Sequence, residues 1–198
     1  KPTMKCDFSV THSLHLYGLS FPFDIFIKGA RGLQNVEGID LVPSQRQRCI
    51  QIPVSRRFDY QLEPDASGAA EAVVHILCEH DCGVTMTAKD WEGLSLATHT
   101  RTASISLALA RKIFLYPHDR WTLATVAEQT ETTVRALQAR IFRENAAFSE
   151  ILSRQRRLRA LLDMLAMGVH VGDASLSAPR TRGETSLRRT LARGYLIL

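Results

Sequence analysis

The sequence predicts an α+β fold, with a small β-rich N-terminal domain followed by an all-α domain. Three observations carry this expectation. Short apolar or alternating runs separated by Gly, Pro, Asn and Ser fill residues 7–62. Helical spacing of apolar residues takes over from Ala103. The formal charge also changes sign between the halves. Residues 1–100 carry nine Lys and Arg against twelve Asp and Glu, a net −3, while residues 101–198 carry sixteen against eight, a net +8.

The 198 residues leave room for two compact domains of roughly 100 residues each. A composition of 45% hydrophobic and 23% charged residues excludes wholesale disorder and fibrous structure. Four scattered cysteines do not make a disulfide scaffold and fit a reducing, cytoplasmic compartment. No apolar run reaches 18 residues, so neither a membrane span nor a membrane partner is expected.

The strand candidates are Phe8 to Val10, Leu14 to Leu19, Phe23 to Lys28, Ile39 to Val42, Ile50 to Val54 and Phe58 to Leu62. Residues 69–79 fit a short helix or a buried strand equally well, because so short an apolar run has no decisive period. Ile105, Leu107, Leu109, Ile113 and Phe114 then describe an amphipathic helix that stops before Pro117. The expected domains are therefore 1–100 and 101–198, with the boundary near residues 95–118.

The most informative segment begins at Trp121. Trp121, Leu123, Val126 and Ala127 mark a short helix whose small Ala127 suits a tight crossing by a second helix. Thr130, Glu131 and Thr132 read as a turn, and Thr133 as the N-cap of a helix running from Val134 to about Glu144. Val134, Leu137 and Ile141 repeat at spacings of three and four and are expected to face the core. Arg135, Gln138, Ala139 and Phe142 take the opposite face, with Arg140 and Arg143 on its flanks. Arg reads guanine and Gln reads adenine through paired hydrogen bonds, so this is the chemistry needed to enter a major groove. Asn145 is expected in the left-handed conformation that ends the helix. A longer helix follows over about 147–167, with Phe148, Ile151, Leu152, Leu158, Leu161, Leu162 and Leu165 on one side.

Together, Trp121 to Leu165 resembles the first helix-turn-helix and linker helix of the AraC/XylS family of bacterial regulators. The resemblance lies in Trp121 and Leu123, Val126-Ala127, Thr133, Leu137-Gln138, Ile141, Glu144-Asn145, Phe148 and the Arg157 to Leu162 run. It implies a helix-turn-helix DNA-binding domain, with the first unit at about 121–145. It also implies a second unit at about 169–198, for which this sequence has a degenerate candidate. There Val169 to Ala174 resembles a first helix and Glu184 to Arg193 a recognition helix, while Pro179 departs from the usual turn. A linker of roughly 19 residues spans about 28 Å, close to the roughly 34 Å between successive major grooves.

The expected base-reading residues are Arg135, Gln138 and Ala139, with Arg140 and Arg143 on phosphates and Arg188, Arg189 and Arg193 acting in the second unit. Thr133 and Asn145 are expected to be structural. The resemblance further implies an activator contacting RNA polymerase; binding through the first unit alone is expected to require a homodimer, and the β-rich N-terminal domain is expected to take a small-molecule or protein effector. The alternative is an interaction or anti-activator protein that has lost full DNA binding and pairs with another regulator. Cys78, His80 and Cys82 read either as a metal or thiol sensor or as an ordinary loop or core segment, since their spacing matches no common zinc pattern. Arg56-Arg57 reads as the solvated end of a strand or an anion contact. No nucleophile elbow, Gly-rich phosphate loop or paired carboxylates occur, so neither catalysis nor a cofactor is expected.

Overall fold

The computed structural model describes residues 3–38, 49–78, 85–100, 102–167 and 195–197. Ile39 to Val42, His80 with Cys82, and the second-unit arginines Arg188, Arg189 and Arg193 lie outside these residues. The chain divides into two compact units, Lys1–Asp81 with Ala160–Leu198, and Cys82–Arg159.

The first unit holds two four-stranded sheets. One has the order β1 (Thr3–Val10), β7 (Ala70–Leu77), β3 (Ile25–Arg31), β5 (Cys49–Ile52), antiparallel throughout. The other has the order β4 (Leu33–Glu37), β6 (Phe58–Glu63), β2 (Leu14–Leu19), β8 (Tyr195–Ile197), in which β8 runs parallel to β2. Strand alternation supplies the core. Cys6, Phe8 and Val10 on β1, and Ala70, Ala72, Val74 and Ile76 on β7, are buried at every second position. Phe58, Tyr60 and Leu62 do the same on β6. Gly32 alone separates β3 from β4 and so carries the chain from one sheet to the other. It has φ +84°, and a Cβ there would lie 2.4 Å from the Glu63 carbonyl oxygen, so no side chain fits.

The apolar residues Leu161, Leu162 and Leu165 close a small cavity with Phe8, Leu16 and Tyr60, and the Cys6 thiol donates to the Leu162 carbonyl at 3.4 Å. Burial pushes the Tyr60 phenol well above its ordinary range.

The second unit is helical: α1 (Ala88–His99), α2 (Ile105–Leu115), α3 (Leu123–Gln129), α4 (Val134–Arg143) and the Phe148–Arg159 part of α5 (Phe148–Ala166). Among the described residues, no helix is long and apolar enough to cross a membrane. Trp91 and Trp121 lie with ring centroids 5.7 Å apart, and Leu94, Ile105, Leu109, Ile113 and Phe114 are fully buried.

Several expectations are corrected. Within the ambiguous 69–79 segment, Ala70–Leu77 form the strand β7, which lies between β1 and β3 and fills its ladder on both edges. Phe23 is buried but precedes β3, and β4 was not expected. Residues 195–197 form a strand within a segment expected to be all-α. The helix α1 belongs with the second unit, although residues 88–99 fall within the expected β-rich domain 1–100. The reason is that α1 buries only Asp90, Leu94 and Thr98, so two of its three inward positions are polar and leave no apolar stripe to detect.

Asp90 also explains why α1 goes with α2. Its carboxylate closes a capping box with Thr87, takes the Lys112 ammonium at 2.5 Å, and accepts the Tyr116 hydroxyl at 3.0 Å. Burial by itself would raise its pKa, but the bonds from Lys112, Thr87 and Tyr116 prevail and hold the carboxyl far below the usual range. Breaking this buried pair with Asp90→Asn should cost about 3 kcal/mol, read from urea unfolding followed by the fluorescence of Trp91 and Trp121. Because the folded pKa is depressed, the contribution is complete above the unfolded carboxyl's value of about 4. It is lost as pH falls further, and the variant should lack that acid-dependent part.

Candidate nucleic-acid interface

The α3–turn–α4 unit is built from local capping. The Thr122 hydroxyl accepts the Thr125 amide at 3.0 Å and opens α3, whose Val126 and Ala127 are buried. Thr130 is fully buried, and its hydroxyl donates to the Val126 carbonyl at 2.7 Å, within its own helix. Glu131 takes φ 51° and the Thr132 amide returns to the Ala127 carbonyl at 2.9 Å, which turns the chain sharply. Thr133 then caps α4, accepting the Ala136 amide at 3.1 Å. Asn145, with φ 54°, closes the far end in the expected left-handed conformation.

Leu137 and Ile141 are 1% and 2% exposed and fix which side of α4 faces inward. Val134, expected beside them, is 42% exposed at the first position of α4. Arg135, Gln138, Ala139, Phe142 and Arg143 are all exposed and share the opposite side. The structure therefore brings together four of the five site residues expected on this helix.

Arg140 is the exception, because its guanidinium is engaged within the fold. It is only partly exposed, and its guanidinium donates to the carbonyl oxygens of Thr98 and Thr100 and, at 3.1 Å, of Ala103. The first two belong to the C-terminal end of α1, where unpaired carbonyls concentrate partial negative charge.

One turn further on, the Glu144 carboxylate does the converse at the start of α2. It accepts the Ser104 hydroxyl at 2.7 Å and the Ile105 and Ser106 amides at 2.9 Å each. Burial alone would raise its pKa, but the bonds from Ser104, Ser106 and Ile105 lower it. A charged pair spaced four apart reads in sequence as a bridge along one helix face. Here the two side chains instead grip opposite helix ends, which tertiary placement alone determines.

Other arginines of the basic half are also used internally. Arg156 donates to the carbonyls of Pro117 and Asp119 at 2.8 and 3.0 Å, and Arg159 to that of Phe114 at 3.3 Å while lying 5.8 Å over the Phe114 ring. Trp121 donates its indole N–H to the Tyr116 carbonyl at 2.8 Å, so the α2 terminus is held from several sides. In the other unit, Arg56 is exposed and bonds the Gly38 carbonyl at 3.1 Å, and Cys78 is buried just after β7.

No protein-family model matches this chain, and no curated protein matches it. Among solved structures it is similar to ToxT from Vibrio cholerae O395, at 9% identity and a TM-score of 0.39 over 82% of each chain. It is similar to a 1.65 Å structure of Vibrio cholerae ToxT at 8% identity and a TM-score of 0.40, over 83% of this chain and 84% of that one. The unsaturated-fatty-acid-bound ToxT of Vibrio cholerae strain SCE256 gives 8% identity and a TM-score of 0.36, over 86% and 83%. Superpositions this loose carry no functional weight, and the candidate surface rests on its own geometry.

The Arg140 and Glu144 grips should each contribute to stability. Glu144→Gln, which removes the charge from three hydrogen bonds, is expected to lower unfolding free energy by about 1–3 kcal/mol. A urea titration of Arg140→Ala, Glu144→Gln and the double variant checks this. Losses that are near zero for both single variants would remove the anchoring role.

Proposed function

We propose that this protein is a sequence-specific DNA-binding transcriptional regulator that reads the major groove with α4, and that it acts by binding and not by catalysis. The observation that carries the reading is the exposed side of α4. Arg135, Gln138 and Ala139 stand together in its first two turns, on a helix whose rotation is set by buried Leu137 and Ile141. A helix of ten residues is about 15 Å long, which suits lying in a groove about 12 Å wide with its N-terminal residues toward the base edges. Arg143 lies on the edge of that side, where a phosphate of the flanking strand would run.

The resemblance to AraC/XylS regulators supports the same reading and extends it. On that basis Arg188, Arg189 and Arg193 serve a second DNA contact, and the protein acts as an activator touching RNA polymerase, as a homodimer, under an effector bound by the β-rich unit.

Gel-shift titrations on the DNA upstream of the protein's own gene and on scrambled duplex, at two salt concentrations, test the reading. Wild type should prefer the former, with affinity falling as salt rises because phosphate contacts release counterions. Arg135→Ala should lose about 1–3 kcal/mol of binding and relax the preference at one base position. Arg140→Ala should act mainly through stability. Equal affinity of wild type and Arg135→Ala for the preferred duplex would remove the base-reading assignment. Sequence-indifferent binding together with a stable complex with another regulator would favour the interaction protein instead.

A further inference from the structure

Phe142 is 78% exposed in the third turn of α4 and is the most exposed large apolar side chain among the described residues. It adds nothing to the side that buries Leu137 and Ile141. It lies seven residues after Arg135, four after Gln138 and three after Ala139, toward the C-terminal end of the exposed side. That side is cationic at both ends, through Arg135 and Arg143, and α4 contains no acidic residue. The Glu144 carboxylate next to it is held on the start of α2. An apolar ring beside cations on an acid-free helix suits a polyanion that also carries an apolar group better than an oily protein groove.

The major groove offers one such group, the 5-methyl of thymine. We infer that Phe142 is a specificity-determining residue that packs on a thymine methyl when α4 enters the groove. This rests on the DNA-binding reading above. Seven residues of helix rise about 10 Å, and base pairs stack every 3.4 Å or so. For a helix lying along the groove, the thymine is therefore roughly three base-pair steps from the base met by Arg135.

The test uses the full chain and a duplex selected by it from a random library. Each thymine of that duplex is replaced in turn by uracil, which removes only the methyl. Wild type should weaken about fourfold at one thymine, the value of one apolar carbon returned to water. The sensitive position should lie about three steps from the base at which Arg135→Ala relaxes preference. Phe142→Ala should bind the thymine and uracil duplexes equally, and Phe142→Leu should keep part of the difference. Circular dichroism melts of the variants should match wild type, since the ring is exposed.

If wild type binds its selected duplex but is indifferent to every uracil, or if Phe142→Ala keeps the same uracil sensitivity, the methyl assignment falls and the DNA-binding reading stands. If no duplex is enriched, both fall together. Self-association that Phe142→Ala abolishes while DNA affinity is unchanged would assign the side to a second copy of the chain and overturn the inference.

Discussion

The rotational setting of α4 is the constraint on which the functional reading depends. A ten-residue helix has little stability of its own in water, and only Leu137 and Ile141 are fully buried along it. Two apolar anchors on adjacent turns define an inward side but resist rolling weakly. Arg140 and Glu144 add directional grips, one on the carbonyl end of α1 and one on the amide end of α2. Each charge meets the helix terminus of opposite partial charge, so both contacts gain from peptide dipoles as well as from hydrogen bonds. With the helix held in this way, Arg135, Gln138, Ala139, Phe142 and Arg143 have nowhere to point but outward.

The same principle governs how the basic half of the chain spends its charge. Arg140, Arg156 and Arg159 all donate to carbonyl oxygens at or just beyond helix ends, and Asp90 and Glu144 occupy helix starts. These residues act as side-chain caps between helices, where the backbone cannot satisfy itself. A net charge of +8 over residues 101–198 therefore overstates the positive surface open to a polyanion. The arginines that remain exposed on α4 form a smaller set, and they are the ones lying beside the uncharged Gln138 and Ala139. Separating cations that hold the fold from cations that face solvent is what turns a crude charge asymmetry into a candidate interface.

Much of the local architecture was legible in the sequence, because it depends on short-range chemistry. Thr133 as an N-cap, Asn145 in the left-handed region, the stop of α2 before Pro117, and the 19-residue extent of α5 all follow from residue type and spacing over a few positions. So do the alternating strands β2 and β6, whose buried faces repeat every second residue. The exposed side of α4 was legible for the same reason, since the period of a helix separates Leu137 and Ile141 from Arg135, Gln138 and Ala139 without any reference to what lies opposite. What only the tertiary structure decided are the features in which a residue's partner is distant in sequence. The helix α1 turns inward through Asp90, whose burial makes sense only once Lys112 and Tyr116 are beside it. The strand β7 is a strand and not a helix because β1 and β3 flank it on both edges. Arg140 binds carbonyls 37 to 42 residues away, a choice that helical periodicity cannot register because it specifies the face of a side chain and not what waits there.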